Sequence, residues 1–559
     1  MIKRQISMMR IVRRTVLATM LLPLTALGQN HHLDVGKSLD IFNALYSNLD
    51  LFYVDTLNPG QTMTAAINGM LNSLDPYTEY YPESETENLQ MLLTGKYAGI
   101  GALVKYHQRL KRVVIDEPYA GMPAAETGLK KGDIILSIDD TLMIGKQVDY
   151  VSSHLRGDAG TSFVLKVKRP STGKEMTFKI TRKNIKLPEL PYWGMRPDSI
   201  GYICLNQFTE GCALEVRRAF VDLKKQGAKG LVFDLRGNTG GSEMEAVDIV
   251  NIWVPQGEMV VENRGKVKQA NRIYTTRLEP VDTLMPMVVL VNGESASASE
   301  IASGALQDLD RAIILGSRTY GKGLVQVPMD LPYNTHVKIT TSHYYIPSGR
   351  CIQAVNYKRG SKERIADSLT SVFHTRNGRE VRDGGGIKPD IEVKNDTMSN
   401  IAYYLSGSAV DSTEVMFDYI VDYIDSHPKI APAGEFHLTE QDWQDFRRRV
   451  VESGFSYDPL SKKQLNDLIK TAKFEGYYEQ AKEAFDVLAR KLEHNVAADL
   501  DKNRQVIQQM IEQSIVAAYY YQSGAIEAGL CYDKQMREAE RLLKSPEKYL
   551  QVLWPPKAQ

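Results

Sequence analysis

Ser295, Ser297 and Ser299, on alternate positions, and Lys322, between two glycines, are the residues whose types and settings suit covalent chemistry. The serines follow Met287-Val288-Val289-Leu290, an apolar run that reads as a buried strand. The chain then turns through Asn292-Gly293 into good helix formers. A serine there stands at a strand-to-helix elbow, beside backbone N–H groups that a helix start leaves free. Lys322 follows a second strand-like run, Ala312-Ile313-Ile314-Leu315. A lysine held against an apolar core loses hydration, which favours the neutral amine. A neutral amine can take the proton of a serine hydroxyl. Taken one at a time, a serine in a crowded turn and a lysine on a glycine turn are usually structural.

A third stretch, Asp234-Leu235-Arg236-Gly237-Asn238-Thr239-Gly240-Gly241, follows a strand-like run and precedes a helical one. Such a loop presents N–H groups in a concave array suited to an oxyanion, and its last two glycines permit close approach. Other chemistries fit less well. Gly316 to Lys322 has the spacing of a phosphate loop, but Gly323 stands where that motif needs a serine or threonine. Leu324-Val325-Gln326 also reads as a strand rather than the required helix. None of the 10 histidines has a triad-like context, His343 alternates like a strand residue, and no H-E-x-x-H occurs. Neither a metal nor a cofactor is expected.

These segments need a scaffold, and 559 residues allow several domains. Hydrophobic content of 43% and charged content of 24% are those of a globular protein. Basic and acidic residues balance at 68 each, so no nucleic-acid partner is expected. Lys3, Arg4, Arg10, Arg13 and Arg14 precede an apolar run from Val16 to Leu27, which describes a signal peptide over residues 1–28. The mature protein is therefore expected to be periplasmic or secreted. Membrane association is expected only if that segment stays uncleaved. Four cysteines (Cys204, Cys212, Cys351, Cys531) allow three full pairings and the sequence selects none. Cys204 reads as a buried thiol.

Residues 34–94 read as helical, broken by a turn signal at Leu74-Asp75-Pro76-Tyr77-Thr78. Residues 95–183 read as short strands, with a hairpin through Ser171-Thr172-Gly173. The proline-bearing stretch 184–198 reads as a linker. Strands and helices then alternate to about residue 398, which argues for an α/β core with parallel pairing. Residues 399–559 read as a helical appendage that packs on the core or on a second subunit.

Residues 95–183 resemble a PDZ domain. Tyr97-Ala98-Gly99-Ile100-Gly101 matches the loop whose N–H groups capture a peptide C-terminal carboxylate in that family. The Asp234–Gly241 loop, Glu294 to Glu300, Tyr320-Gly321-Lys322-Gly323 and Gln326 follow it in order. That succession resembles the carboxyl-terminal processing proteases, the tail-specific peptidases of the S41 serine protease family. The resemblance covers residues 35–395. It implies an α/β multidomain protein: a ClpP/crotonase-like α/β protease core (184–398) with an inserted PDZ domain and helical N- and C-terminal regions. It also implies Ser297 as nucleophile, Ser295 and Ser299 as flanking positions, Lys322 as general base and Gln326 as the residue that orients the lysine. Ala298 with Gly240 or Gly241 would form the oxyanion hole, and Asp308 would be structural. The expected function is an exported serine endopeptidase whose substrates are proteins or peptides with free C-termini. Related enzymes dimerise through such C-terminal regions, so a homodimer is a further expectation. The alternative is an inactive, exported peptide-binding scaffold, which would have no need of Ser297, Lys322 and Gln326 together.

Overall fold

The computed structural model describes residues 33–555 apart from 87–88, 90–95, 187, 358–361, 395–397, 408–412, 458–459 and 494. The signal-peptide expectation for residues 1–28 lies outside the described residues. Among the described residues no helix is long and apolar enough to cross a membrane.

Two helices come first, α1 (33–52) and α2 (Pro59–Leu71). α2 starts where Asn58 accepts from the Gln61 amide and Pro59 occupies a position that needs no N–H. The expected turn at Asp75 comes next, its carboxylate accepting from the amides of Tyr77 and Thr78, both at 2.8 Å. The helical reading of residues 34–94 fails beyond it, because Glu79–Tyr81 is a strand, β1. It pairs with residues 336–338 of a strand far along the chain, a partner that local periodicity does not reveal.

β2 (Lys96–Gly99) and β9 (Lys183–Lys186) pair antiparallel and close the neck of an inserted domain. Inside it, β3 (Ala102–His107), β4 (Arg112–Pro118), β5 (Ile134–Ile138), β7 (Ser162–Lys168) and β8 (Glu175–Thr181) form a sheet in that order, with β6 (Thr141–Leu142) beside β5. β3 lies on its edge, and helix α3 (Val148–Leu155) buries Val151 and Leu155 in the domain's core. β7 and β8 join through the expected hairpin.

The stretch 184–198 is not a linker. It supplies β9 and also β10 (Tyr192–Arg196), which pairs antiparallel with β11 (Ile200–Cys204). Pro188, Pro191 and Pro197 fall between or beside the strands, where no ladder hydrogen bond is lost. Beyond β11, α4 (Cys212–Lys225), β12 (Gly230–Asp234), α5 (Glu243–Val250), β15 (Met287–Val291), α6 (Ala298–Asp308) and β16 (Ile313–Gly316) alternate as expected. The sheet order is β10-β11-β12-β15-β16, extended by Ile391–Glu392, and every pairing after β10–β11 is parallel. Every residue of β11, β12, β15 and β16 is buried, because both faces of the sheet are covered. A second sheet joins β1, β13 (Met259–Gly265), β14 (Arg272–Thr275), β17 (Leu324–Leu331) and β18 (Thr335–Tyr345).

The C-terminal region is more than an appendage. α7 (Val415–Ser426), α8 (Glu440–Glu452) and α9 (Arg504–Leu530) build a core around Trp443, Phe446, Ile511 and Ile515. α7 also docks on the inserted domain, where Phe417 and Val421 meet Val114. His107 Nε2 lies 3.1 Å from Asp418 Oδ1 across that contact. The last two helices, α10 (Lys534–Leu543) and α11 (Pro546–Leu553), cover the second face of the parallel sheet with Met536, Ala539, Leu542, Tyr549 and Leu553. The four cysteines are free thiols, and Cys204 is buried as expected.

Candidate active site

Ser297 is the last residue before α6, and its backbone sits at φ 56°, ψ −115°. A non-glycine residue at positive φ is strained, and such strain persists only where neighbours enforce it. Here the flanking serines enforce it. The Ser295 hydroxyl donates to the Leu235 carbonyl and the Ser299 hydroxyl to the Asn238 carbonyl, both at 2.8 Å. Both side chains are fully buried and tie the elbow to the loop after β12. Ser297 alone of the three remains partly exposed.

Glu300, one turn into α6, is completely buried. Its Oε2 accepts from the amides of Ser297 and Lys322, and its Oε1 from the Gly321 amide at 2.7 Å and the Thr319 hydroxyl at 2.5 Å. Burial pushes the carboxyl up to about 7, against these donors, which hold it down. One side chain thus joins the serine elbow to the lysine loop.

Lys322 stands two residues before the start of β17, and its Nζ lies 4.6 Å from the ring centroid of Tyr77. Burial, followed by the nearby charge of Lys338, brings the amine down to about 8; Glu79, Glu300 and Asp75 oppose the shift. Among the described residues no hydrogen bond joins the Ser297 hydroxyl to the Lys322 amine. Gln326 lies on β17 opposite Thr340, and its Nε2 donates to the Thr340 hydroxyl at 3.1 Å.

Gly240 sits at φ 104°, where an added Cβ would come within 2.7 Å of the Ala296 carbonyl and 2.8 Å of the Ser297 Cβ. Its amide donates to Asn238 Oδ1 at 2.9 Å. That corrects its expected part: Gly240 permits the close approach, while its N–H is already committed. Among the described residues the amides of Ala298 and Gly241 have no hydrogen-bond acceptor. At the far end of α6, Asp308 pairs with the buried Arg350 at 2.8 Å and fixes the helix against the loop after β18.

The profile of peptidase family S41 matches residues 199–360, that of a PDZ domain residues 114–169, and that of a probable PDZ-protease C-terminal helical domain residues 403–543. A carboxy-terminal-processing protease of Bartonella bacilliformis is 33% identical over 342 residues, covering 60% of this chain and 78% of the relative. The chain belongs to peptidase family S41. It is a serine-type peptidase of the carboxyl-terminal processing kind, an α/β multidomain protein with a PDZ domain, a protease core and a C-terminal helical domain. A probable CtpA-like serine protease of Staphylococcus aureus is 28% identical over 457 residues, 80% of this chain and 87% of the relative. A solved photosystem II D1 C-terminal processing protease is 28% identical, covers 63% of this chain and 86% of its own, and has a TM-score of 0.35.

In this S41 peptidase the loop Tyr97-Ala98-Gly99-Ile100-Gly101 runs from β2 toward the edge strand β3. The Ile100 carbonyl accepts from Ala124 and that of Gly101 from Tyr119, while the amides of Ile100 and Gly101 have no acceptor among the described residues. Gly101 is required there, at φ 69° with an added Cβ only 2.4 Å from the Met122 side chain. The guanidinium of Arg156 lies 5.4 Å from the Tyr97 ring centroid.

The sequence reading gave no role to Glu300 or Asn238. A signal for Glu300 was available, since Ser297-Ala298-Ser299-Glu300 has the serine-to-glutamate spacing of a helix-starting box. For Asn238 the only cue was its place in a glycine-rich turn.

Proposed function

We propose that this S41 peptidase is exported and cleaves proteins recognised by their free C-termini, using Ser297 as nucleophile and Lys322 as general base. The observation that carries the reading is the Glu300 carboxylate, which accepts from the backbone of both residues. With its amine near 8, roughly one Lys322 in ten is neutral at pH 7, against fewer than one in a thousand for an ordinary lysine. Lys322 Nζ leaves the Tyr77 ring to come within reach of Ser297 Oγ and accepts its proton as the oxygen attacks the scissile carbonyl. The oxyanion is received by the amides of Ala298 and Gly241. The lysine returns the proton to the leaving amine, and water releases the acyl-enzyme.

The amides of Ile100 and Gly101, at the end of an edge strand, suit a terminal carboxylate of a peptide that adds to β3. Gln326 orients the lysine. The basic and apolar N-terminal segment supports export.

The test is direct. Ser297→Ala and Lys322→Ala each abolish cleavage of an unfolded, tail-exposed protein while circular dichroism stays unchanged. Undiminished turnover in either variant removes the mechanism. Substrates ending in a carboxamide are cleaved more slowly than the free acids, and equal rates remove carboxylate capture.

A further inference from the structure

The turn Asp75-Pro76-Tyr77-Thr78 lies more than two hundred positions before the catalytic lysine in the chain, yet it packs against it. Asp75 is buried, and its carboxylate accepts four hydrogen bonds. Two come from the amides of Tyr77 and Thr78, and these serve the turn alone. The other two come from hydroxyls: Thr78 at 3.0 Å and, from the opposing strand β18, Thr340 at 3.2 Å. A turn needs no partner from so far along the chain.

The direction of the protons gives that partner a purpose. The hydroxyls of Thr78 and Thr340 lie 3.2 Å apart; with Thr78 donating to Asp75 Oδ2, the Thr340 hydroxyl gives its single proton to Asp75 Oδ1. Its oxygen then has a lone pair for the Gln326 amide nitrogen, 3.1 Å away. With that nitrogen committed, the Gln326 carbonyl oxygen remains as the acceptor, the polarity needed by a residue that orients an ammonium.

Tyr77, two residues on, supplies the ring face under Lys322 Nζ. The ring is itself held, edge-on to Tyr357 with centroids 6.1 Å apart and with its hydroxyl 3.5 Å from that of Tyr320 on the lysine loop. An ammonium over a ring face is attracted to it, while the ring excludes water that would otherwise solvate the charge.

We propose that Asp75 and Tyr77 are positioning residues of the active site, Asp75 fixing the Gln326 amide through Thr340 and Tyr77 seating the Lys322 amine between turnovers. The N-terminal segment is then part of the catalytic apparatus rather than a support for the PDZ domain. This assignment rests on the Ser297–Lys322 reading.

The experiment uses the full chain and steady-state cleavage of an unfolded protein with a free C-terminus, from pH 6 to 10. Thr340→Val, which keeps the shape and removes the hydroxyl, lowers kcat about 10- to 100-fold with KM within twofold, and Thr340→Ser restores most of it. Asp75→Asn lowers kcat in the same way. Tyr77→Ala displaces the acid limb of the kcat/KM profile, and Tyr77→Phe returns it. The limb moves to higher pH where readmitted water dominates and to lower pH where the lost ring attraction does. Lys338, Glu79, Glu300 and Asp75 also face the amine and are unchanged in the tyrosine variants. A merely structural turn would lower thermal stability and leave the limb in place. Unchanged kcat in Thr340→Val removes the Asp75 assignment, and an unmoved limb in Tyr77→Ala removes that of Tyr77. Failure of the underlying reading looks different, because Lys322→Ala would then remain active whatever the turn variants do.

Discussion

The backbone amides of Ser297 and Lys322 donate to the same atom, Oε2 of Glu300, each at 2.9 Å. Two segments that are 25 residues apart are thereby fixed with respect to each other by one buried carboxylate. Glu300→Gln keeps the volume but places an NH2 group where one oxygen accepted, so at least one donor is left facing a donor. An unmade buried hydrogen bond costs about 1–3 kcal/mol. We expect kcat to fall at least tenfold while the secondary structure is retained, measured by steady-state cleavage and circular dichroism.

On the proposed mechanism the acid limb of activity is expected near pH 8, because Lys322 acts as base only as the neutral amine. Lys338 lowers the Lys322 value, and Glu79, its ion-pair partner at 2.5 Å, raises it. Lys338→Met removes the first influence and unmasks the second, so both changes favour the ammonium. The limb of kcat/KM moves to higher pH, as a pH–rate series reports.

The same lysine has a cost in stability. Its folded value is below the ordinary one, so the unfolded chain binds more protons between about 8 and 10.5, and this contribution to stability rises with pH across that window. At pH 7 the ammonium is buried and the penalty is fully present. Lys322→Met is expected to be inactive and yet to raise Tm at pH 7 by roughly 1–3 °C, an exchange between function and stability that calorimetry measures.

Gly240→Ala tests the close approach of the proposed oxyanion loop to the serine elbow. The new methyl would meet the Ala296 carbonyl at 2.7 Å and the Ser297 Cβ at 2.8 Å, and φ of 104° opposes any side chain. Loss of activity of about 100-fold or more is expected, with labelling by a serine-directed fluorophosphonate reduced in parallel.

Met536→Ala tests the roof of the parallel sheet. Met536 is fully buried between α10 and the strands. A cavity there costs about 2–5 kcal/mol, so the denaturant midpoint for loss of fluorophosphonate labelling falls. An unchanged midpoint would mean that the sheet stands without this cover.

The parallel core was legible because β12, β15 and β16 are apolar runs buried on both faces, each ended by a glycine-bearing turn. The placement of Ser297 and Lys322 in turns was legible because each comes after such a strand. Residues 184–198 were misread because three prolines outweighed the strand residues between them, although each proline occupies a position without a ladder hydrogen bond. The tertiary partners of β1 and the Asp75 turn were not legible, since Thr340 and residues 336–338 lie about 260 positions away. That the C-terminal region is helical was legible, but the place of α10 over the sheet was not: half of its residues are charged, and only Met536, Ala539 and Leu542 reveal a buried apolar stripe.

Arg236, in the loop that leads to Gly240, donates to Asp234, to Asp533 at 2.6 Å and to Gln535 at 2.9 Å. Asp533 and Gln535 lie at the start of α10, whose other residues cover β12, β15 and β16. The loop that ends in Gly240 is therefore held from outside by residues 297 and 299 positions further along the chain, so a change at the start of α10 is transmitted to the elbow that carries Ser297 without touching it.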